Sequence, residues 1–313
     1  MATAFAGRRF IRADGIPKVT GQARYTADLS VPGLLHAKFL YAGVAHARIR
    51  SIDAGEARAL PGVMAVVTQA ELPGNRYGPC VKDRTLFADD VVRYEGDIVA
   101  AVAATTPQIA EEACRRIVVD YEHLEPVLDP EEALAGDAPL VHADWETTDA
   151  AYDGLSRNRN DCGYVNIVKG DLQAGLAEAD EIVEERYVAD MAHAVPIEPH
   201  AVTAEWQGER VTIWSATQVP FTARAGVAET LGIPEGNVRV VVPQLGGGFG
   251  GKCDFHFEAH VAALARKAGR PVRLVFTRRE EFIVPDKVRH PMVMEFRTGV
   301  KRDGTMTAQQ ARI

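Results

Sequence analysis

The chain has 313 residues, 47% hydrophobic and 25% charged, enough for two domains with cores of their own or one large one. A formal net charge of −8 argues against a nucleic-acid partner, and no apolar run approaches the roughly 20 residues a membrane helix needs. The opening MATAFAGRRFIRADG lacks an apolar signal core followed by a small-residue cleavage site, so a cytoplasmic location is expected.

In chain order, LLHAKFLYAG, MAVVTQAEL, DIVAAVAATT and RIVVDYEHL read as strands, rich in β-branched and apolar residues. TPQIAEEACRRI, between the last two, reads as a helix with Thr106 as N-cap and Pro107 in its first turn. Strand, helix and strand over this length suggest an α/β unit. From about residue 131 the chain turns polar and aperiodic, as a linker does. LQAGLAEA then reads as a short helix and EIVEERYVAD as an alternating strand. AVTAEWQGERVTIWSATQ reads as a hairpin turning at Gln207-Gly208. VPFTARAGVAETLGI reads as a helix from Pro220 to Gly232, and VRVVVP as a strand. FHFEAHVAALARKAG reads as a helix with Asp254 as N-cap and Gly269 at its C-terminal end. VRLVFT, running on into TRREE, reads as a strand. MVMEFRTGVKRDGTMTAQQARI reads as a final hairpin turning at Asp303-Gly304.

Between the VRVVVP strand and the next helix lies PQLGGGFGGK, with five glycines between Gly246 and Gly251. A tight turn needs one or two; five imply that something passes close to the main chain. Strand, glycine loop and helix together offer backbone N–H donors to an anion or oxo group. Three ligand readings arise for this region. Gly246, Gly248 and Gly251 match the spacing of a dinucleotide fingerprint, with Glu280 or Glu281 for a ribose and Arg278 for a 2′-phosphate. Pro243-Gln244-Leu245 delays entry to the loop, however, and no further βαβ pattern follows. A P-loop fails, because Cys253 follows Lys252 where Ser or Thr is required. Cys253, His256 and His260 at i, i+3 and i+7 offer a zinc-like donor set on one helical face. The four cysteines, Cys80, Cys114, Cys162 and Cys253, are otherwise scattered with no C-x-x-C pair, which excludes a disulfide framework or an iron–sulfur spacing. His193 and His200 flank AVPIEP and are expected to shape that loop through hydrogen bonds.

Several stretches in order carry a family resemblance: KVTGQARYTADLSVPGLLHAKFLYAGVAHARI, PIEPHAVTAEW, ATQVPFTAR, LGGGFGGK and RREEF with the later RHP. Together they resemble the molybdenum hydroxylases, the xanthine dehydrogenase, aldehyde oxidase and CO dehydrogenase family, in the N-terminal part of the molybdopterin-binding large subunit. The resemblance implies an α+β fold: an α/β hammerhead domain over residues 1–135, a linker over 136–164, and over 165–313 the first portion of the molybdopterin-binding domain. It implies that Gln218 approaches an oxo ligand of molybdenum and that Gly247, Gly248, Phe249 and Gly250 line the centre. The implied cofactor is molybdopterin in its cytosine dinucleotide form, shared with a C-terminal molybdopterin-binding polypeptide. An iron–sulfur subunit with 2Fe-2S clusters and an FAD subunit are the implied electron-transfer partners. The implied reaction is hydroxylation of an aldehyde, an N-heteroaromatic ring or a related carbon centre, with water as the oxygen source. Cys253 stands where purine-oxidising relatives have a glutamate, which counts against purine oxidation. No residue matches the family's catalytic glutamate, so none is assigned here. A split subunit or a fragment both account for that, and an apolar strand ending at Ile313 calls for a companion chain. The competing readings are an NAD(P)-dependent oxidoreductase using the glycine loop and a non-catalytic assembly module.

Overall fold

The computed structural model describes residues 7, 10–78, 81–146, 158–255, 257–284 and 288–313. The chain opens with helix α1 (Gly15–Val19) and strands β1 (Leu35–Tyr41) and β2 (Ala47–Asp53). Helix α2 (Gly55–Ala59) and strands β3 (Val63–Val67), β4 (Val91–Val92) and β5 (Ile98–Ala104) follow. Helix α3 (Pro107–Arg115), β6 (Val118–His123) and the one-turn helix α4 (Pro130–Ala133) lead to residues 135–146 and 158–171. Beyond these come α5 (Leu172–Ala177), β7 (Glu181–Ala189), β8 (Ala192–His193), β9 (Ala201–Gln207) and β10 (Arg210–Ser215). The chain continues through α6 (Pro220–Leu231), β11 (Val238–Val241), α7 (Glu258–Ala268) and β12 (Val272–Val275). It closes with α8 (Arg278–Ile283), β13 (Val288–Arg289), β14 (Met292–Val300) and β15 (Met306–Arg312).

Seven strands make one mixed sheet in the order β11-β10-β9-β12-β1-β5-β3. Three of them come from before residue 105 and four from after residue 200. The join is the parallel pair β1 and β12, Leu35 opposite Val272. The sheet therefore runs across the expected linker rather than stopping at it. Strand β5 is buried along its whole length because both faces are covered. Ala101 and Ala103 enter the large core beneath α7, whose Ala259, Val261, Ala262 and Leu264 are buried. Ala100, Val102 and Ala104 face α3, where Ala110, Ala113 and Cys114 are buried. The α/β expectation for the stretch β5–α3–β6 is corrected here. β6 does not return to the sheet of β5 but pairs antiparallel with β2 in a separate sheet, β4-β2-β6.

Local expectations hold where caps are strong. Thr106 accepts from the Ile109 N–H at the start of α3, and Gly232 and Gly269 end α6 and α7 in the left-handed region. Three details differ. Gln207 pairs with Arg210, so the hairpin loop is Gly208-Glu209. Asp254 does not cap α7; its carboxylate accepts from the adjacent Phe255 N–H, and the helix starts at Glu258. The strand read into TRREE ends at Val275, and Thr277 caps α8 instead, through a box with Glu280. A third sheet, β15-β14-β7, stands apart, with Gly304 (φ +89°) in its tight turn. The stretch read as a linker is tied down by Asn160, whose side chain meets Val141 N, Ala133 O and Pro139 O.

Candidate functional site

The glycine loop lies between β11 and α7, beside Gln218, which follows β10, and Glu198, which precedes β9. Because α7 starts only at Glu258, the glycine loop does not sit on a helix N-terminus as the sequence suggests. Its amides are placed by two side chains from other segments. The Gln218 carboxamide oxygen accepts from Gly250 N (3.1 Å) and Lys252 N (3.3 Å), while Gln218 N donates to Lys252 O (2.8 Å). Only an oxygen can accept from two N–H groups, so the amide orientation is fixed and its NH₂ is left to face outward from an exposed position. The Glu198 carboxylate accepts from Gly246 N at 2.8 Å. Among the described residues, the N–H groups of Gly247, Gly248 and Phe249 donate to no protein atom.

The glycines are needed for different reasons. A Cβ on Gly248 would lie 2.3 Å from Gln218 Oε1, and one on Gly246 would lie 2.5 Å from Glu198 Cβ. Gly247 (φ +105°) and Gly250 (φ +89°) need backbone angles that side chains resist. Phe249 adopts φ +54° and is 76% exposed as a residue. A bulky residue held in the left-handed region costs on the order of 1–2 kcal/mol, and such strain persists where the surroundings over-determine it. The structure thus brings Gln218, Gly248 and Gly250 into one contact group, with Gly247 and Phe249 on its outer lip.

Four further residues, Lys252, Glu198, Glu281 and Arg278, support the site in a way the sequence did not indicate. Lys252 is fully buried, and its ammonium meets Glu198 Oε2 and Glu198 O, both at 2.9 Å. Burial lowers its pKa, and Glu198 acts in the opposite sense. Glu281, on α8, is buried and accepts from the His200 main chain and, at 2.9 Å, from His200 Nδ1. Burial opposes its ionisation, but the His200 contacts outweigh that and hold its pKa below the ordinary carboxylate value. Arg278 donates to Ile197 O at 3.0 Å. These contacts fasten the segment 196–200 against the loop. His193 Nδ1 accepts from Val195 N (2.9 Å), so both histidines shape their loop through hydrogen bonds.

The competing ligand readings lose their residues. Glu280 is buried against Lys38 (2.8 Å) and Glu281 against His200, so neither is offered to a ribose. His260 is packed among aromatic rings, with Nε2 against Leu86 O. Cys253 lies before α7 rather than on its face, and His256, like Cys80, lies outside the described residues. No metal-binding group of His, Cys, Asp and Glu is found among the described residues. Beyond the loop, a cavity of about 370 Å³ is lined by Tyr77, Arg84, Thr222, Gly226, Glu229 and Cys253.

Loop amides with no protein acceptor, a carboxamide NH₂ at an exposed position and an exposed aromatic residue suit a group bearing oxo ligands better than a bare cation. Comparison with known proteins gives the same direction. Residues 155–313 match the profile of the molybdopterin cofactor-binding domain, and residues 20–125 that of the aldehyde oxidase and xanthine dehydrogenase a/b hammerhead domain. The chain belongs to the molybdenum hydroxylase family. It is 36% identical over 97% of its length to the nicotinate dehydrogenase large molybdopterin subunit of Eubacterium barkeri, spanning 68% of that protein. It is 35% identical over 97% of its length to a probable xanthine dehydrogenase subunit of Bacillus subtilis, spanning 39% of it. Among solved structures, it superposes on quinoline 2-oxidoreductase from Pseudomonas putida 86 with a TM-score of 0.82 and 33% identity, covering 98% of this chain and 39% of that one. CO dehydrogenase from Oligotropha carboxidovorans gives 0.85 at 29% identity, covering 97% and 39%. This member of the family thus keeps the hammerhead and the opening of the molybdopterin-binding domain, and spans well under half of several relatives. No described helix is long and apolar enough to cross a membrane.

Proposed function

We propose that this chain supplies one wall of the molybdenum site in a multi-subunit hydroxylase acting on an aldehyde, an N-heteroaromatic ring or a related carbon centre. The observation that carries it is the Gln218 carboxamide, locked by Gly250 and Lys252 with its NH₂ outward beside three uncommitted loop amides. When bound, the molybdenum cofactor, in its cytosine dinucleotide form, supplies the redox centre for hydroxylation with water as the oxygen source. Gln218 and the Gly247, Gly248 and Phe249 amides would donate to its ligands, Gly250 anchors the carboxamide, and the Phe249 ring would wall the substrate side. Cys253 and Thr222 face the adjoining cavity, where the substrate would lie.

The catalytic glutamate, and the remaining pterin contacts, belong to a C-terminal molybdopterin-binding part, either continuous with this sequence or on a further polypeptide. The relatives' greater length supports this, as does the exposed edge strand β7 of the sheet β15-β14-β7. Iron–sulfur and FAD subunits carry electrons onward, since the scattered cysteines here hold no cluster spacing. The assembly is placed in the cytoplasm. The deciding experiment purifies the chain with its partners and measures molybdenum by elemental analysis together with turnover. Near-stoichiometric Mo, and loss of turnover in Gly248→Val with the assembly intact, are expected. An intact, active assembly without Mo ends the proposal.

A further inference from the structure

A loop with five glycines in six positions has many backbone states open to it, so its shape must be imposed from outside. The residue that does so is Glu198. Its Oε2 accepts from Gly246 N (2.8 Å) at the loop's entry and from Lys252 Nζ (2.9 Å) at its exit. Its main chain makes the same two connections: Glu198 N donates to Gly246 O (3.2 Å), and Glu198 O accepts from Lys252 Nζ (2.9 Å). One residue thus fastens both ends of the loop. The Lys252 side chain is fully buried and that of Glu198 is 11% exposed, so water competes little for these bonds. Lys252 also holds Gln218 through both of its main-chain groups, so a shift of Lys252 moves the outward carboxamide with it. Pro199 biases Glu198 toward an extended backbone, which stiffens the arrangement.

We propose that Glu198 and Lys252 form a clasp that positions the glycine loop and Gln218 for the molybdenum centre, a role that rests on the function proposed above. The pair is neutral as a whole, so it acts through geometry rather than by adding charge beneath the loop. An apolar pair of similar volume can pack in its place but cannot bond Gly246 N or Glu198 O.

The test uses the complete enzyme with its partner subunits and compares wild type, Glu198→Gln and Lys252→Met. Glu198→Gln keeps the size and one acceptor but loses the charge. Its NH₂ then falls where Glu198 Oε1 is buried with no hydrogen-bond partner among the described residues. Three readouts apply: hydrogen–deuterium exchange of peptides spanning 245–252, the Mo(V) electron paramagnetic resonance signal, and the division between kcat and KM. Exchange at least tenfold faster, a shifted or broadened Mo(V) signal at wild-type Mo content, and kcat down at least tenfold with KM within threefold are expected. Wild-type exchange and a wild-type Mo(V) signal in Glu198→Gln overturn the clasp. If Lys252→Met does not fold, Glu198→Gln alone decides. If wild type holds no Mo, the functional reading fails on its own, and exchange still separates the outcomes: faster supports the clasp and unchanged overturns it.

Discussion

A methyl group at residue 248 would sit 2.3 Å from Gln218 Oε1, closer than real Cβ contacts come. Gly248→Ala should therefore push the carboxamide aside and lower kcat at least tenfold while the sheet stays intact, checked by steady-state kinetics alongside circular dichroism. Gln218→Glu separates anchoring from outward donation. Its oxygen can still accept from Gly250 and Lys252, but the outward NH₂ is replaced by an acceptor. Loss of one such donor typically costs about 100-fold in turnover, and that fall is expected here with little change in the thermal midpoint. Away from the site, burial pushes the Asp97 carboxyl up to about 6. The folded chain then keeps a proton that the unfolded chain has released, so this group's contribution to stability declines as pH rises from about 4 to about 6 and is level above. Asp97→Asn should remove that decline, with a relative gain of up to about 3 kcal/mol at pH 7.5 and little at pH 4, measured by denaturant unfolding. At this scale the glycines were legible from residue type and spacing alone, and Gln218 only through the family resemblance. The roles of Glu198 and Lys252 were opaque, and Glu281 was read only as a possible ribose ligand. A charged residue reads as surface until its buried partner, 54 or 81 positions away, is known.

Elements were legible where their ends were marked. Thr106-Pro107, Gly232 and Gly269 bounded α3, α6 and α7 through capping chemistry alone. Helix α8 was hidden because its buried carboxylates, Glu280 and Glu281, look like a charged strand exit. Their burial depends on Lys38 and His200 from distant segments. Thr277 accepts from Glu280 N and donates to Glu280 Oε2, so Thr277→Ala should cost about 1 kcal/mol in unfolding free energy. A larger effect is expected where α6 crosses the segment leading into α7. A Cβ on Gly226 would fall 2.6 Å from the Phe255 ring, and Gly226→Ala should destabilise by about 1–3 kcal/mol through overpacking.

For the whole molecule, the sheet β15-β14-β7 is the least self-sufficient part. Residues 181–188 of β7 are exposed on both faces, Tyr187 at 52% and Val188 at 64%. Beyond β14, the other edge of β7 has no partner strand among the described residues. Such an edge is usually covered. Carbene footprinting should show Tyr187 and Val188 labelled in the chain alone and protected once the proposed companion polypeptide is bound. The sequence could show a strand there but not its exposure, which depends on what else is present. Nor could it show that early and late strands share one sheet, since pairing across more than 230 residues leaves no local periodicity.

The placement of β1 between β5 and β12 bears on how the protein tolerates cutting. A protease site engineered near residue 150 would sever the covalent path between the two family-matched segments. The hydrogen-bonded seam from Leu35 to Val272, with the shared core beneath α7, would remain. Both fragments should co-elute as a single species after cleavage and separate only in denaturant. Either one made alone should lack a neighbour along a row of unpaired amides and carbonyls, and should precipitate.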